Sequence, residues 1–428
     1  MRSFSLESLG CKVNYFEANA SADLLKEAGY AMVETSQDPD VILIYTCAVT
    51  NVAESKTRKL IRSLKRNHPN SKLVAVGCFV QVSKQSVLAD LPLDLAIGSN
   101  HKKEIVALIN GLFEQENTQV MVKEDFTVQQ FQNLGAALSQ SHTRANLKIQ
   151  DGCNQFCSYC IIPFARGRET CLSFDEIKAQ AHLLAQNHHE IILTGIHTGR
   201  YHDGDVRLAD VLEYLAVTYP NVRFRISSIE SSEIDQHLLD VMKKYDNVAH
   251  HLHIPLQAGC DRQLQLMNRP YTTHDYYQTL SSIRQQMDDI AISCDYIVGF
   301  VDESETDFND ALAFIEKCEF AFMHVFPYSR KKGTKADTME GHLSEQLKKQ
   351  RTQVVLKLAN RSKLAYLNKQ VGNVKNVLIE TVKDGHSYGY SDDYCYVEID
   401  RELTVGEFVK VIINHANNEQ LKGEIACC

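Results

Sequence analysis

Short apolar runs alternate with longer stretches in which apolar positions recur every three or four residues, and this rhythm divides the chain into parts. In residues 1–115, runs at Ser3–Leu9, Val41–Tyr45 and Lys72–Val76 alternate with helical patterns at about Tyr15–Ala28 and Asn51–Asn67, with further helical pattern beyond. Continuous apolar strands joined by amphipathic helices predict an open parallel α/β sheet covered on both faces. A second series begins at Asn146. Its predicted strands are Asn146–Gln150, Glu190–Thr194, Val222–Ile229, Val248–Pro255, Ala291–Val298 and Ala321–Pro327. Helical patterns separate them at Ser173–Asn187, Leu208–Val217, Glu233–Lys244, His274–Met287 and Glu305–Lys317. Six such units predict a partial (βα)6 TIM-like barrel, short of the eight in a complete one.

Beyond Thr334 the pattern changes again. A long basic helix over about Ser344–Lys369 leads into short alternating strands at Val374–Thr381, Tyr394–Ile399 and Phe408–Ile413, with glycines at turns. They predict a small OB-like all-β barrel. The expected domains are 1–115, 146–368 and 369–428. Residues 116–145, polar and including Gln129-Gln-Phe-Gln-Asn133, are expected to link the first two.

The 428 residues suffice for several buried cores, and 44% hydrophobic with 23% charged residues is ordinary for globular protein. No apolar run approaches the roughly 20 residues of a membrane helix, and MRSFSLESLG lacks the apolar core of a signal peptide. A cytoplasmic protein with no membrane partner is expected. The 13 cysteines then serve metals or catalysis rather than disulfides. A net charge of −9 gives no global attraction to nucleic acid. Local patches change that picture: Lys56 to Arg66, Ser329 to Lys335, and the Lys348–Lys363 helix. Charge runs are most often solvated faces, but three of them beside an OB-like barrel predict local phosphate contact.

The densest chemistry lies in Asp151–Cys160, where Cys153, Cys157 and Cys160 follow the spacing C-x3-C-x2-C. Thiolates this close pair, bind metal or hold a cluster. Three ligands in one short loop suit an iron–sulfur cluster, whereas zinc sites draw paired ligands from two separated places. Three thiolates leave one iron of a four-iron cluster open to a ligand. The loop follows the first strand of the second series, at the face where such barrels carry chemistry. Cys11, Cys47 and Cys78 each fall just past a predicted strand of the first series. That edge binds ligands in open α/β sheets, so the trio is expected to converge in one metal-binding crevice. The alternative for each is a small buried hydrophobe.

Cys153-x3-Cys157-x2-Cys160, with Tyr159 before the last thiol, resembles the radical S-adenosylmethionine (SAM) signature. Over nearly its full length the chain resembles the radical-SAM methylthiotransferases. Gly10-Cys-Lys-Val-Asn14 with Glu17, Thr46-Cys-Ala-Val-Thr50 and Gly77-Cys78 are similar to that family's auxiliary-cluster domain. His251-Leu-His-Ile-Pro-Leu-Gln-Ala-Gly259 and Met267-Asn-Arg269 are similar to its barrel, and Gly389-Tyr-Ser391 with Tyr394 to its RNA-binding TRAM domain. The first two words, together with His324-Val-Phe-Pro-Tyr-Ser329, look most like the branch acting on N6-threonylcarbamoyladenosine at tRNA position 37.

The resemblance implies replacement of an adenine C2–H by S–CH3, with two [4Fe-4S] clusters held by Cys153, Cys157, Cys160 and by Cys11, Cys47, Cys78. One SAM supplies the methyl group; a second is cleaved by a low-potential electron to the 5′-deoxyadenosyl radical. The implied partners are tRNA and an electron donor such as flavodoxin or ferredoxin. Thr194, Gly195, Ser227 and Gln257, at strand ends on the chemical face, are candidate SAM contacts. For Gly195 and Ser227 the alternatives are a turn and a solvated strand end. Arg166 and Arg168 either contact ligand or lie on the surface. Other readings are isopentenyladenosine or a ribosomal protein as target, or a non-catalytic iron–sulfur protein that binds RNA or carries electrons.

The chain departs from the family pattern in places. Gly299-Phe-Val-Asp-Glu-Ser304 replaces the usual Gly-Phe-Pro-Gly-Glu-Thr, which changes the backbone options of that turn. Ser231 follows Glu230 where relatives carry Pro, and Cys260 and Cys294 stand where hydroxyl residues are common. Cys171, Cys318 and Cys395 are expected to be packing residues, and Cys427-Cys428 a tail.

Overall fold

Strands Ser3–Ser8, Val41–Thr46 and Lys72–Gly77 are adjacent in a six-stranded parallel sheet, so the three predicted cysteine-bearing strands form its centre. The computed structural model describes residues 1–114, 119–122, 130–140 and 143–426; Gln129 and Cys427-Cys428 lie outside them. The sheet also contains three strands that the apolar pattern did not signal: Ala31–Met32, Leu95–Ile97 and Gln119–Met121. Each is two or three residues long, too short to show a period. Gln119–Met121, from the segment expected to link domains, joins the edge through backbone pairing with Leu95–Ile97, which needs no apolar sequence.

The second series forms six parallel strands in chain order. Arg144–Lys148, Glu190–Thr194 and Arg223–Ile226 make one sheet; His251–His253, Ala291–Val298 and Phe322–Pro327 make another. A bridge between Phe224 and Val248 joins them into one open barrel. One phase of each strand is apolar: Ala145 and Leu147, Ile191 and Leu193, Phe224 and Ile226, Leu252, Ile292 and Cys294 enter the main core under the surrounding helices. The other phase, turned inward by the pleat, is mainly polar: Asn146, Glu190, Arg223, Arg225, His251, His253, Ser293, Asp295 and His324. The barrel is thus packed outside and mixed within, since Ile192, Ile297 and Phe326 share the inward phase.

Helix starts carry their own caps. Thr272 and Ser304 bond Asp275 and Asp307 reciprocally at the helices Thr273–Gln286 and Glu305–Cys318. In the altered turn, Gly299 (φ 70°) and Asp302 (φ 56°) adopt left-handed conformations, and Arg351 pins Glu303 at 2.7 Å. Ser304 keeps the capping hydroxyl, so the turn holds without Pro.

Helix Glu345–Lys369 runs from the main core, through Val355 and Leu358, to the second core at Leu367. There a closed five-stranded barrel follows the order Val374–Lys383, His386–Ser391, Tyr396–Ile399, Leu421–Ile425, Phe408–Ala416. His386–Ser391 and Leu421–Ile425 escaped the sequence pattern because their alternation is diluted by Gly, Ser and charged residues. Among the described residues no helix is long and apolar enough to cross a membrane.

Part of the expected positive surface is taken up by burial and ion pairing. Lys331 is buried against Glu54, Arg330 pairs with Asp337 at 2.7 Å, and Lys348 and Arg351 are buried within the fold. Lys56, Lys59, Arg62, Arg66, Lys332, Lys335, Lys349 and Lys357 remain exposed.

Candidate active site

Cys11 caps the helix Lys12–Glu27, Cys47 directly follows its strand, and Cys78 opens the helix Cys78–Val82. All three therefore lie at the carboxyl edge of neighbouring strands. Gly10 packs against Cys47, and Asn14 ties the two strand ends by donating to the carbonyls of Leu9 (2.8 Å) and Thr46 (2.9 Å). Burial pushes the Cys47 thiol up to about 11, with Cys78 and Cys11 close enough to add to it. Burial likewise raises Cys78. The trio converges as expected.

Below it lies a buried ionic network that the sequence did not suggest. Lys102 and Lys148 each reach Glu17 at 2.6 Å; Lys148 also reaches Asp151 at 2.5 Å. Arg166 bonds Glu17 (3.0 Å), Asp151 (3.1 Å) and Asn14 (2.8 Å). Burial alone would raise the Glu17 carboxyl, but Arg166, Lys102 and Lys148 hold it well below the usual range. Against burial, Lys148 and Arg166 hold Asp151 at about 2. Three basic side chains face two carboxylates; burial lowers Lys102 against the pull of Glu17, and Arg166 faces Cys78 and Cys11. Arg166 is thus not a surface residue; it is buried and joins sheet, thiol crevice and barrel. Arg168 is exposed over the Phe156 ring at 4.8 Å.

The C-x3-C-x2-C loop leaves the first barrel strand. Gly152, at φ 72°, is required there: a β-carbon would lie 2.0 Å from the Arg168 carbonyl oxygen. The three thiols are free. The amides of Gln155 and Ile162 point at Cys153 (3.3 Å) and Cys160 (3.5 Å), and Arg269 donates to Cys157 at 3.2 Å. Burial raises Cys157 against the pull of Arg269, and pushes Cys160 up to about 12. His197 lies 3.5 Å from Cys153 and 2.7 Å from Glu233; against burial, these neighbours push its imidazole up to about 10. Donors gathered around sulfur in this way suit thiolate ligands, so the residues fit the cluster that the motif implies.

One cavity of about 460 Å³ unites these parts. Cys11 and the loop thiols Cys153, Cys157 and Cys160 line it together with Thr194, Gly195, Ser227 and Gln257. Every candidate SAM contact is therefore present, whereas Cys47 and Cys78 lie behind Cys11. A β-carbon on Gly195 would sit 3.0 Å from Gln150, whose side chain accepts from the His197 amide at 2.7 Å. Thr194 donates to Asn146 at 3.2 Å, Ser227 meets Thr198 at 3.4 Å, and Gln257 holds a left-handed φ of 66° while bridging to Tyr296. The Gly299–Ser304 turn contributes nothing to the lining. Cys260 lies off the cavity beside Asp307, Cys294, Cys318 and Cys395 are buried in cores, and Cys171 packs near His202.

Several lining residues escaped sequence reasoning: His197, Asp295 and, as cavity residues, Lys12, Glu230, His253, Arg269 and His324. The overlooked signal was period-two polarity in barrel strands, as in Arg-Phe-Arg at 223–225 and His-Leu-His at 251–253. The lumen is a network. Ser293 bonds His251 and His253 at 2.9 Å each, and His253 meets Asp295 at 3.3 Å. Tyr394, from the small barrel, closes the foot by stacking on His251 at 5.0 Å between centroids. A smaller cavity of about 260 Å³ shares Tyr159, Cys160, Gln257 and Asp295 with the first and runs to Phe326 and Ser329.

Comparison with known proteins agrees with this architecture. Residues 3–98 match uncharacterized protein family UPF0004, residues 147–315 the radical SAM superfamily and residues 368–426 the TRAM domain. The chain is 34% identical to threonylcarbamoyladenosine tRNA methylthiotransferase MtaB of Bacillus subtilis (strain 168), covering 99% of this chain and 96% of that one. It is 32% identical to the Aquifex aeolicus (strain VF5) protein of the same name, covering 96% and 99%. It is 29% identical to tRNA-2-methylthio-N(6)-dimethylallyladenosine synthase of Thermodesulfovibrio yellowstonii, covering 99% of each. Among solved structures, the radical SAM methyltransferase TsrM of Kitasatospora setae shares the fold with TM-score 0.56, 12% identity and coverage of 76% and 72%. The cobalamin-dependent SAM radical enzyme OxsB shares it with TM-score 0.53, 13% identity and coverage of 79% and 54%.

Proposed function

The chain belongs to the radical-SAM tRNA methylthiotransferases, and we propose that within this family it methylthiolates C2 of N6-threonylcarbamoyladenosine at position 37 of tRNA. The observation that carries this reading is the shared cavity, onto which Cys11 and the three loop thiols open together. A base held there lies between a place to make a radical and a place to supply sulfur. The threonylcarbamoyl base is preferred over the isopentenyl one because the relatives named for the former are 34% and 32% identical, against 29% for the one named for the dimethylallyl base.

We assign Cys153, Cys157 and Cys160 to a [4Fe-4S] cluster and Cys11, Cys47 and Cys78 to a second, with Thr194, Gly195, Ser227 and Gln257 contacting SAM. When bound, the first cluster supplies the electron that cleaves SAM and the second carries the sulfur. In balance, one SAM yields the methyl group and leaves S-adenosylhomocysteine. The other leaves methionine and 5′-deoxyadenosine, which carries off the C2 hydrogen. The protein's own residues bind and orient. Arg269 holds Cys157 while its second arm pairs with Glu230; His197 fixes Cys153; Tyr394 and His251 close the lumen to water from below.

RNA approach is assigned to the cavity mouth. There Asn51 bonds Ser329 (3.2 Å) and Arg330 (2.8 Å), which brings the 51–67 helix and the 329–335 loop into one basic surface. Half-exposed Phe326 stands beside it as a stacking platform. The domain division we adopt is 1–115, 146–368 and 369–428, with 116–145 as a connector lending one edge strand. A cytoplasmic setting and a flavodoxin or ferredoxin donor follow from this substrate and chemistry.

The test is anaerobic turnover of reconstituted enzyme with SAM, dithionite and tRNA carrying threonylcarbamoyladenosine. The methylthio nucleoside and 5′-deoxyadenosine are expected. Product only with isopentenyladenosine tRNA would overturn the substrate assignment, and absence of 5′-deoxyadenosine would overturn the enzyme chemistry.

A further inference from the structure

Lys12 stands one residue after Cys11, at the first turn of its helix, and its side chain lines the cavity. Among the described residues it makes no hydrogen bond or ion pair. Its surroundings do not supply a counterion. Tyr394, Arg225 and Arg144 lie near it, the two guanidiniums repelling it, while the nearby carboxylate, Glu190, is committed to Arg223 and Arg225. Arg144 is likewise committed, to Glu380 at 3.0 Å. Across the lumen, the Asp295 carboxylate lies 3.3 Å from the His253 ring, and the His324 ring lies 5.7 Å from the His253 ring. Lys12 is an exposed ammonium without a partner on the cavity wall, so its charge is free to meet an anion on a bound ligand. Such a cation, open to a cavity of substrate size, is placed to receive one.

We propose that Lys12 is the cation of a carboxylate subsite that reads the threonine carboxylate of the substrate base. This rests on the substrate reading above. The base chemistry agrees with the position. In an N6-ureido purine, the distal urea N–H can bond to N1 of the ring, which turns the amino-acid group toward the C2 edge. A base presenting C2 to the Cys11 crevice therefore brings its carboxylate near the next residue along the chain, Lys12. His253 and His324 are placed to meet the threonine hydroxyl and the carbamoyl oxygen. An isopentenyl group offers no anion to this subsite.

The experiment uses reconstituted holoenzyme and two anticodon stem-loop RNAs. One carries threonylcarbamoyladenosine; in the other the threonine carboxylate is converted to its neutral methyl amide. Wild type is expected to favour the acid by roughly 10-fold or more in kcat/KM, the scale of one charge-assisted hydrogen bond. Lys12→Met is expected to lose about that factor on the acid alone, bringing the acid-to-amide ratio near one, and Lys12→Arg to keep most of the preference. Equilibrium binding of the two RNAs should show the same ratios. If wild type handles acid and amide equally, or Lys12→Met keeps the wild-type ratio, the subsite is overturned. The wild-type ratio alone decides the matter should Lys12→Met fail to fold. Failure of the underlying reading looks different: wild type would modify neither RNA while modifying one that carries isopentenyladenosine.

Discussion

The ring of Tyr394 stacks on the ring of His251 with centroids 5.0 Å apart and planes 26° from parallel. One residue belongs to the small β-barrel and the other to an inward position of a radical-SAM strand. Tyr394 reaches this place with a left-handed φ of 68°, and its ring also lies 4.8 Å from the Arg225 guanidinium. The C-terminal module therefore packs as a wall against the foot of the barrel.

Tyr394→Ala should open that wall. A loss of about 1–3 kcal/mol in stability is expected from the lost aromatic and cation–π contacts. Urea denaturation measures it, and hydrogen exchange should rise in His251–His253. Unchanged exchange there would mean that the stack does not seal the foot.

Replacing Cys157 by Ala removes one loop thiolate and the acceptor of Arg269. Cleavage of SAM to 5′-deoxyadenosine under dithionite is expected to fall to background. Retained cleavage would make the loop structural.

Cys47→Ala addresses the other crevice. SAM cleavage should persist while methylthio product disappears and bound iron drops by the share of one cluster. Full thiolation at full iron content would dissolve the assignment of the Cys11, Cys47 and Cys78 trio.

Arg166→Met should cost about 3–5 kcal/mol, because Glu17 and Asp151 would keep buried charge without their shared partner. Chemical denaturation of the purified variant checks this. A change below about 1 kcal/mol would show that Lys102 and Lys148 suffice.

Acid should reveal the Glu190 cluster. Against burial, Arg223 and Arg225 hold this carboxyl at about 2, below its ordinary 4.5. A lowered folded pKa means that the ion pair stabilises fully above 4.5 and that this contribution, about 3 kcal/mol, is lost as pH falls toward 2. Glu190→Gln should be less stable than wild type at pH 7, with the gap narrowing between pH 4.5 and 2. A gap constant across that range would assign the effect to packing.

The sequence by itself determined the order of elements and the two cysteine trios. Apolar runs need only backbone periodicity to declare strands such as Glu190–Thr194 and Ala291–Val298, and ligand spacing within one loop survives any tertiary arrangement. Position past a strand end likewise brought Cys11, Cys47 and Cys78 together, because parallel topology maps such positions to one edge. The tertiary structure alone decided what surrounds them. Arg166, 149 residues from Glu17 in sequence, looks like any surface arginine until the fold buries both. Lys331 looks like part of a basic patch until Glu54 meets it. Lys12 is one charged residue in a motif until the fold sets it on the cavity wall beside Cys11. Charge and burial are properties of three-dimensional neighbourhoods, and local sequence carries no record of which distant group will be the neighbour.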